Sequence, residues 1–244
     1  MRLRKKLRRL QLGLRIALGR CGHYGWGIND WHDIRFLLRN VERPTIFDVG
    51  ANIGQTALAG RRVIPRASIY SFEPIPETFE VLESAAAFAH PQRLAMGAQA
   101  GVVRMAKSSD SVLSRVIDGE RDLGDSTIEV EVSTVDDQLE SLGIGVLDLL
   151  KVDVEGYEVP VFTGAASAIQ SGRIRAVLVE CRMMQDGNPM HTYIGDIICA
   201  LPEFRMVSVY TRAVDPCHGI HYADALLVHP TLLSGLPAYC PSPE

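Results

Sequence analysis

Five carboxylates stand where this chain could do chemistry. Asp48, Glu73, Asp153 and Glu180 each fall at or near the end of a short apolar run, and Glu155 follows Asp153 by two positions. Such a group can accept a proton, hold a pair of hydroxyls or bind a hard cation. Asp48 belongs to residues 45–56, Thr-Ile-Phe-Asp-Val-Gly-Ala-Asn-Ile-Gly-Gln-Thr, in which Pro44 precedes the run and Gly50 and Gly54 frame a turn. Strand, glycine turn and a helix over 55–63 make the first half of a βαβ nucleotide site. Its glycines let backbone approach a ligand, and the helix start offers free N–H groups. Asn52 stands where many such loops carry another glycine, and Asn tolerates left-handed backbone. Glu73, closing an apolar run over 68–72, has the spacing from Gly50 expected of an acid that binds ribose hydroxyls.

The turn lacks G-x-G-x-x-G, which disfavours a pyrophosphate-bearing dinucleotide, and lacks G-x-x-x-x-G-K-[ST], which excludes a P-loop. A ribose site without a phosphate cradle suits an adenosine that carries something other than phosphates. Asp48 in the turn suits a positively charged appendage. S-adenosyl-L-methionine has both properties, with an α-amino group and a sulfonium.

Three blocks in order carry a family resemblance: Phe-Asp-Val-Gly-Ala-Asn-Ile-Gly-Gln-Thr from Phe47, Phe-Glu-Pro from Phe72, and Leu-Lys-Val-Asp-Val-Glu-Gly-Tyr-Glu from Leu150. Over about residues 45–228 the chain resembles the FkbM family of S-adenosylmethionine-dependent methyltransferases. The resemblance implies a Rossmann-like class I methyltransferase fold, with S-adenosyl-L-methionine as cofactor. It also implies transfer to a hydroxyl oxygen of a sugar, lipid or natural product, and a place beside the adenine for Met96. Asp48, Gly50, Asn52, Gly54 and Glu73 are then the expected cofactor residues.

Asp153 ends the strand beside the cofactor turn and is the expected proton acceptor, with Glu155 and Glu180 as further candidates. Asp153 and Glu155 also suit capping of a helix that begins near Glu158, Glu155 more so. No metal site is expected. Asp153 and Glu180 are hard oxygen donors, but no H-x-x-H or D-x-D-x-D-G pattern supports them, and Cys217, His218 and His221 lack a clear fourth ligand. Two other readings stay open: a nucleotide-dependent oxidoreductase on a similar sheet, and a non-catalytic adenosine-binding or membrane-docked scaffold.

Elements that position these residues follow from periodicity. A helix over 75–89 follows Glu73, a short strand lies near 93–95, and further strands cover 101–107 and 126–133. The polar stretch 107–111 is a loop that faces substrate in this reading. Thr134 caps a helix through Leu142, with Asp136 and Asp137 in its first turn as capping residues. Strand 146–152, helix 158–170, strand 175–179, helix 191–200 and strands 204–210 and 223–228 complete the pattern. Strands alternating with helices imply an α/β, doubly wound, mostly parallel sheet with an antiparallel last strand. Ligands belong at the carboxyl ends of its strands.

The length of 244 residues suits one α/β domain, and 47% hydrophobic with 22% charged residues is ordinary for a soluble globular chain. Cys21, Cys181, Cys199, Cys217 and Cys240 are scattered, without a C-x-x-C pair. Disulfides are therefore not the framework, and a reducing cytoplasm is the simplest compartment. Residues 1–29 hold eight Lys and Arg and no acid, leaving 17 basic against 29 acidic residues in the remainder. Leu3, Leu7, Leu10, Leu14 and Leu18 recur at helical spacing, so residues 1–40 read as a basic helical extension on a 41–244 methyltransferase domain. Residues 1–20 can pack on the acidic body or dock on an anionic membrane surface, the inner face for a cytoplasmic protein. Within the extension, Asn29 or Asp30 caps a helix through Leu38 with Trp31, Ile34, Leu37 and Leu38 on one face. Nucleic acid is not expected as a partner, since the body is acidic and no basic-aromatic stacking patch is evident. Oligomeric state is not legible.

Overall fold

The apolar run after Pro44 becomes β1, Thr45–Val49, with four of its five residues buried. It lies between β2, Ser68–Phe72, and the shorter strand Leu149–Val152, and pairs in parallel with both. The computed structural model describes residues 27–106, 115–116, 127–184, 187–188, 191–215 and 219–234. The basic stretch 1–20, the polar stretch 107–111 and the Cys217–His218 pair lie outside the described residues.

The remaining strands are β3, Ala95–Met96; β4, Gly101–Ala106; β5, Arg115–Val116; and β6, Thr127–Ser133. They are followed by β7, the Leu149–Val152 strand, then β8, Ala176–Arg182; β9, Arg205–Asp215; and β10, Gly219–Val228. The main sheet has the order β2-β1-β7-β8-β10-β9. Only β10, the last strand in the chain, runs antiparallel to its neighbours, as expected. A departure from expectation is that β3 to β6 leave this sheet and form a second one, ordered β3-β6-β4-β5. It hangs from the β2 edge through Gln92, which pairs with Phe72 and accepts the Glu73 N–H through its carbonyl at 3.1 Å.

Alternate residues of each central strand face opposite layers, so a strand covered on both sides is apolar throughout. Phe47, Leu150 and Val177 pack on the helices Val135–Ser141, Glu158–Thr163, Ala166–Gln170 and Ile194–Ala200. Ile46, Leu149 and Leu178 pack on Asp30–Leu37, Gln55–Val63 and Pro76–Ala86. Each such large side chain, fully buried, contributes about 1.5–3 kcal/mol.

The helix Asp30–Leu37 is built into this core. Asn29 caps it by accepting the His32 N–H at 3.0 Å, and Ile34, Leu37 and Leu38 are buried. Its buried Asp33 accepts the Tyr210 hydroxyl at 2.6 Å, while Asp30 pairs with Arg212 of β9, which also pairs with Asp224 of β10. Tyr210 and Arg212 thus tie a helix near the start of the chain to strands near its end.

Some boundaries differ from expectation for identifiable reasons. The helix expected over 158–170 is broken at Gly164, where a Cβ would come within 2.0 Å of the Gly97 carbonyl oxygen. Asp136 then caps the second piece by accepting the Ser167 and Ala168 N–H groups, both at 2.9 Å. Thr134 caps its own helix by accepting the Asp137 N–H at 3.0 Å, so both aspartates sit at helix starts. β8 runs on past Glu180 to Arg182 because β10 pairs with it as far as Tyr222. The helix expected from His191 starts at Ile194, since the Thr192 carbonyl instead accepts the Arg182 N–H.

Candidate active site

The turn after β1 is held open by backbone that few residues adopt. Gly50, Asn52 and Gly54 have φ of 75°, 49° and 93°. The Gly50 and Ala51 N–H groups both donate to the Phe72 carbonyl at 3.0 Å, which ties the turn to the end of β2. A Cβ on Gly50 would lie 1.8 Å from the Asp153 carbonyl oxygen. Glycine at this position therefore lets the exits of β1 and β7 touch. Gly54 faces the other way, toward Leu82 and Ala86, and is a packing position.

Glu73 is 6% exposed, and both carboxylate oxygens are placed by backbone. Its Oε2 accepts the Asn52 N–H at 2.9 Å and its Oε1 accepts the Ile75 N–H at 2.9 Å. Burial pushes its pKa up, and those two donors pull it part of the way back. Each oxygen keeps a lone pair for a further donor.

One side chain that the motif contains, and to which sequence reasoning assigns no role, organises the centre. Lys151 pairs in register with Asp48 across β1 and β7. Its Nζ lies 3.5 Å from Asp48 Oδ1, donates to Asp153 Oδ2 at 3.1 Å and to the Gly50 carbonyl at 3.4 Å. Burial works against its charge, but Asp48 and Asp153 outweigh it and hold the lysine pKa above its ordinary value. The available signal was a lysine inside the run Leu-Leu-Lys-Val, where every strand position is buried.

Asp48 is fully buried, with Lys151 as its cationic partner. The strand's alternation points it into the sheet layer that holds Ile46, where Lys151 covers it.

Asp153, Glu155 and Glu180 come together as expected, with one oxygen of each within 4.8 Å of the others. Glu155 is in the left-handed region, with φ of 50°. Burial, with Asp153 beside it, raises the Glu155 pKa, and burial with Asp153 and Glu155 pushes the Glu180 carboxyl up to about 8.

Two cavities meet at this cluster. One, about 460 Å³, is lined by Gly50, Asn52, Glu73 and Met96 on one flank and by the three acids on the other. The second, about 480 Å³, opens beneath the start of the helix Asp30–Leu37, with Trp31, Arg212 and Tyr222 in its wall. Lys151, Asp153, Glu180 and Tyr222 line both. Two spaces of similar volume thus share a carboxylate wall.

Residues 48–204 match the family model described as the methyltransferase FkbM domain. The chain belongs to the FkbM family of S-adenosylmethionine-dependent methyltransferases. This FkbM-family chain is 31% identical over 180 residues to the 31-O-demethyl-FK506 methyltransferase FkbM of Streptomyces tacrolimicus, covering 59% of this chain and 69% of that protein. It is 28% identical over 165 residues to the hexuronic acid methyltransferase AglP of Haloferax volcanii, covering 64% of this chain. The match spans 65% of the AglP length. Among solved structures, a methyltransferase FkbM from Methylobacillus flagellatus KT superposes with a TM-score of 0.52 at 15% identity, over 77% of this chain and 44% of that one. The fold is that of a Rossmann-like class I methyltransferase.

The family's cofactor, S-adenosyl-L-methionine, fits the residues present. The glycine-lined turn leaves room for a ligand, and the buried Glu73 carboxylate faces it with unused lone pairs. Among the described residues, no helix is long and apolar enough to cross a membrane.

Proposed function

We propose that this chain transfers a methyl group from S-adenosyl-L-methionine to a hydroxyl oxygen of a sugar, lipid or natural-product acceptor. The observation that carries the reading is the meeting of two cavities at Asp153, one behind the glycine turn and one beneath Trp31. The relatives' names, one for a hexuronic acid and one for a 31-O-demethyl position, support an oxygen-bearing acceptor of this kind.

In this reading Glu73 accepts from the ribose hydroxyls, the Gly50–Asn52 backbone lies against the cofactor, and Met96 packs on the adenine. Asp48 acts one step back, holding Lys151 in place. Lys151 in turn fixes Asp153 Oδ2 and leaves Oδ1 free. When bound, the cofactor supplies an electrophilic methyl carbon on sulfonium. Asp153 Oδ1 accepts the proton of the acceptor hydroxyl as that oxygen attacks, so positioning and proton removal are the protein's contributions. Glu155 and Glu180 orient the acceptor from the same wall.

Asp153→Asn keeps the shape and removes the basicity. Turnover of labelled cofactor with host glycolipid or sugar extracts should fall about 10²–10⁴-fold, with cofactor affinity nearly unchanged. A variant that methylates at the wild-type rate assigns Asp153 to structure alone. For the basic extension we propose docking on anionic membrane. A chain lacking residues 1–20 should lose sedimentation with anionic vesicles at low salt while keeping cofactor binding, and equal sedimentation of both chains would refute this.

A further inference from the structure

The second cavity is polar over most of its wall, and neither of its cations is uncommitted. Lys151 lies between Asp48 and Asp153, and Arg212 pairs with both Asp30 and Asp224. Each cation on this wall is thus shared by two carboxylates, and Glu180 adds a further acid. An acceptor that carries a carboxylate or a phosphate finds no spare cation here and meets like charge, which strongly disfavours it. Gln55 and Thr56, from the start of the helix Gln55–Val63, add neutral donors and acceptors. Among the described residues of the lining, Leu178 alone is aliphatic, so an acyl chain finds little apolar surface.

Trp31 departs from this polarity, and a helix glycine makes room for it. Its ring lies against the buried Gly60, inside Gln55–Val63, where a Cβ would stand 2.8 Å from Cη2 and 3.0 Å from Cζ3. Glycine costs a helix interior about 1 kcal/mol relative to alanine, and here it leaves space for the indole edge. Tyr222, the other aromatic residue of the wall, has the Arg182 guanidinium over its ring at 5.3 Å. Among the described residues, no cation or second ring stacks on Trp31, which is only half-buried. One edge of the indole is therefore anchored on a helix while the residue lines the cavity.

We propose that the second cavity holds one neutral sugar ring, with Trp31 as the platform on which the ring lies. Resting on the methyl-transfer reading, this narrows the acceptor to an uncharged glycoside and sets aside acyl chains, free uronic acids and sugar phosphates. One face of a pyranose carries mainly C–H groups, whose partial positive charge suits the negative face of an indole. Its rim carries hydroxyls that both donate and accept, which suits the carboxylates, Gln55 and Thr56 and requires no free cation. The volume of about 480 Å³ is in the range of small-molecule sites. Trp31 and Asp153 line the same cavity, so a ring seated on one can present a hydroxyl to the other.

Saturation-transfer NMR on the full chain, with and without S-adenosylhomocysteine, tests this with the methyl glycosides of glucose, galactose and mannose as probes. At least one glycoside should bind. Its uronic acid and 6-phosphate counterparts should bind at least about tenfold more weakly, and the neutral methyl ester of that uronic acid should recover the loss. Trp31→Ala should weaken glycoside binding about tenfold or more, and Trp31→Phe should keep most of it, with S-adenosylhomocysteine affinity unchanged in both. Gly60→Ala favours the helix yet pushes the indole from its seat, so it too should weaken binding. Circular dichroism of each variant separates loss of the platform from unfolding. The proposal is overturned by no binding of any of the three glycosides, by charged counterparts that bind equally well, or by equal loss in Trp31→Phe and Trp31→Ala. Wild-type affinity in Trp31→Ala, or in Gly60→Ala should the first variant not fold, overturns it as well. Calorimetry with S-adenosylhomocysteine alone reads the other claim. Its failure sinks the methyl-transfer reading, while glycoside binding without that ligand still decides the sugar subsite.

Discussion

Gly50→Ala and Gly143→Ala form a matched pair that isolates the contact between the exits of β1 and β7. Both glycines have positive φ, 75° and 64°, so each alanine costs about 1–2 kcal/mol of left-handed backbone strain. They differ in space. Nothing lies within 4 Å of a Cβ on Gly143, whereas on Gly50 it would lie 1.8 Å from the Asp153 carbonyl oxygen and 2.9 Å from its carbon. Reaching van der Waals contact requires a shift of roughly 1.4 Å between two central strands. That shift breaks the Asp153 N–H to Val49 carbonyl bond, now 3.1 Å, and disturbs the Lys151 contact with the Gly50 carbonyl. A lost hydrogen bond of about 1 kcal/mol and overpacking of about 1–3 kcal/mol add to the strain. Gly50→Ala should therefore cost about 3–6 kcal/mol against about 1–2 for Gly143→Ala, a large part of a typical 5–15 kcal/mol stability. Urea unfolding followed by circular dichroism measures the difference, and calorimetry with S-adenosylhomocysteine reads the turn. Equal unfolding free energies for the two variants, with binding intact in Gly50→Ala, would refute the close-approach argument.

Glu73→Ala should weaken S-adenosylhomocysteine binding by about 1–3 kcal/mol, since the ribose hydroxyls and the Asn52 and Ile75 N–H groups all lose an acceptor. Calorimetry showing wild-type affinity would remove Glu73 from the cofactor site. Lys151→Met leaves the fully buried Asp48 without its cation and should destabilise the fold by about 3–5 kcal/mol at neutral pH. Because the Lys151 pKa is raised in the fold, its contribution is complete below the ordinary lysine value of 10.5 and is lost as pH rises through the higher folded value. Melting curves of wild type and variant should thus stay apart from pH 6 to 9 and converge only in strong alkali; convergence near pH 8 would contradict the arrangement.

What the sequence determined by itself is whatever depends on neighbours along the chain. Glycine spacing and the apolar run after Pro44 specify the β1 turn and the helix Gln55–Val63 because backbone preference and side-chain period are local. Thr134 and Asp136 read correctly as capping residues for the same reason, although Asp136 caps the helix after the one it begins. Three blocks in order were enough for the family. Tertiary structure alone decided where each carboxylate points. Asp48 reads as a ligand residue from its place in the turn, and only the pairing of β1 with β7 shows that it stands opposite Lys151. The break at Gly164 depends on a Gly97 carbonyl that arrives from a distant loop. The second cavity is lined by Asp30 and Arg212, which pair although they stand 182 residues apart. Such contacts follow from which strands become neighbours and which face each residue takes, and a one-residue change of register would invert the answer. The same strand order brings Glu155 and Glu158 from one turn against Glu180 from another strand, and so concentrates the acids on a single wall.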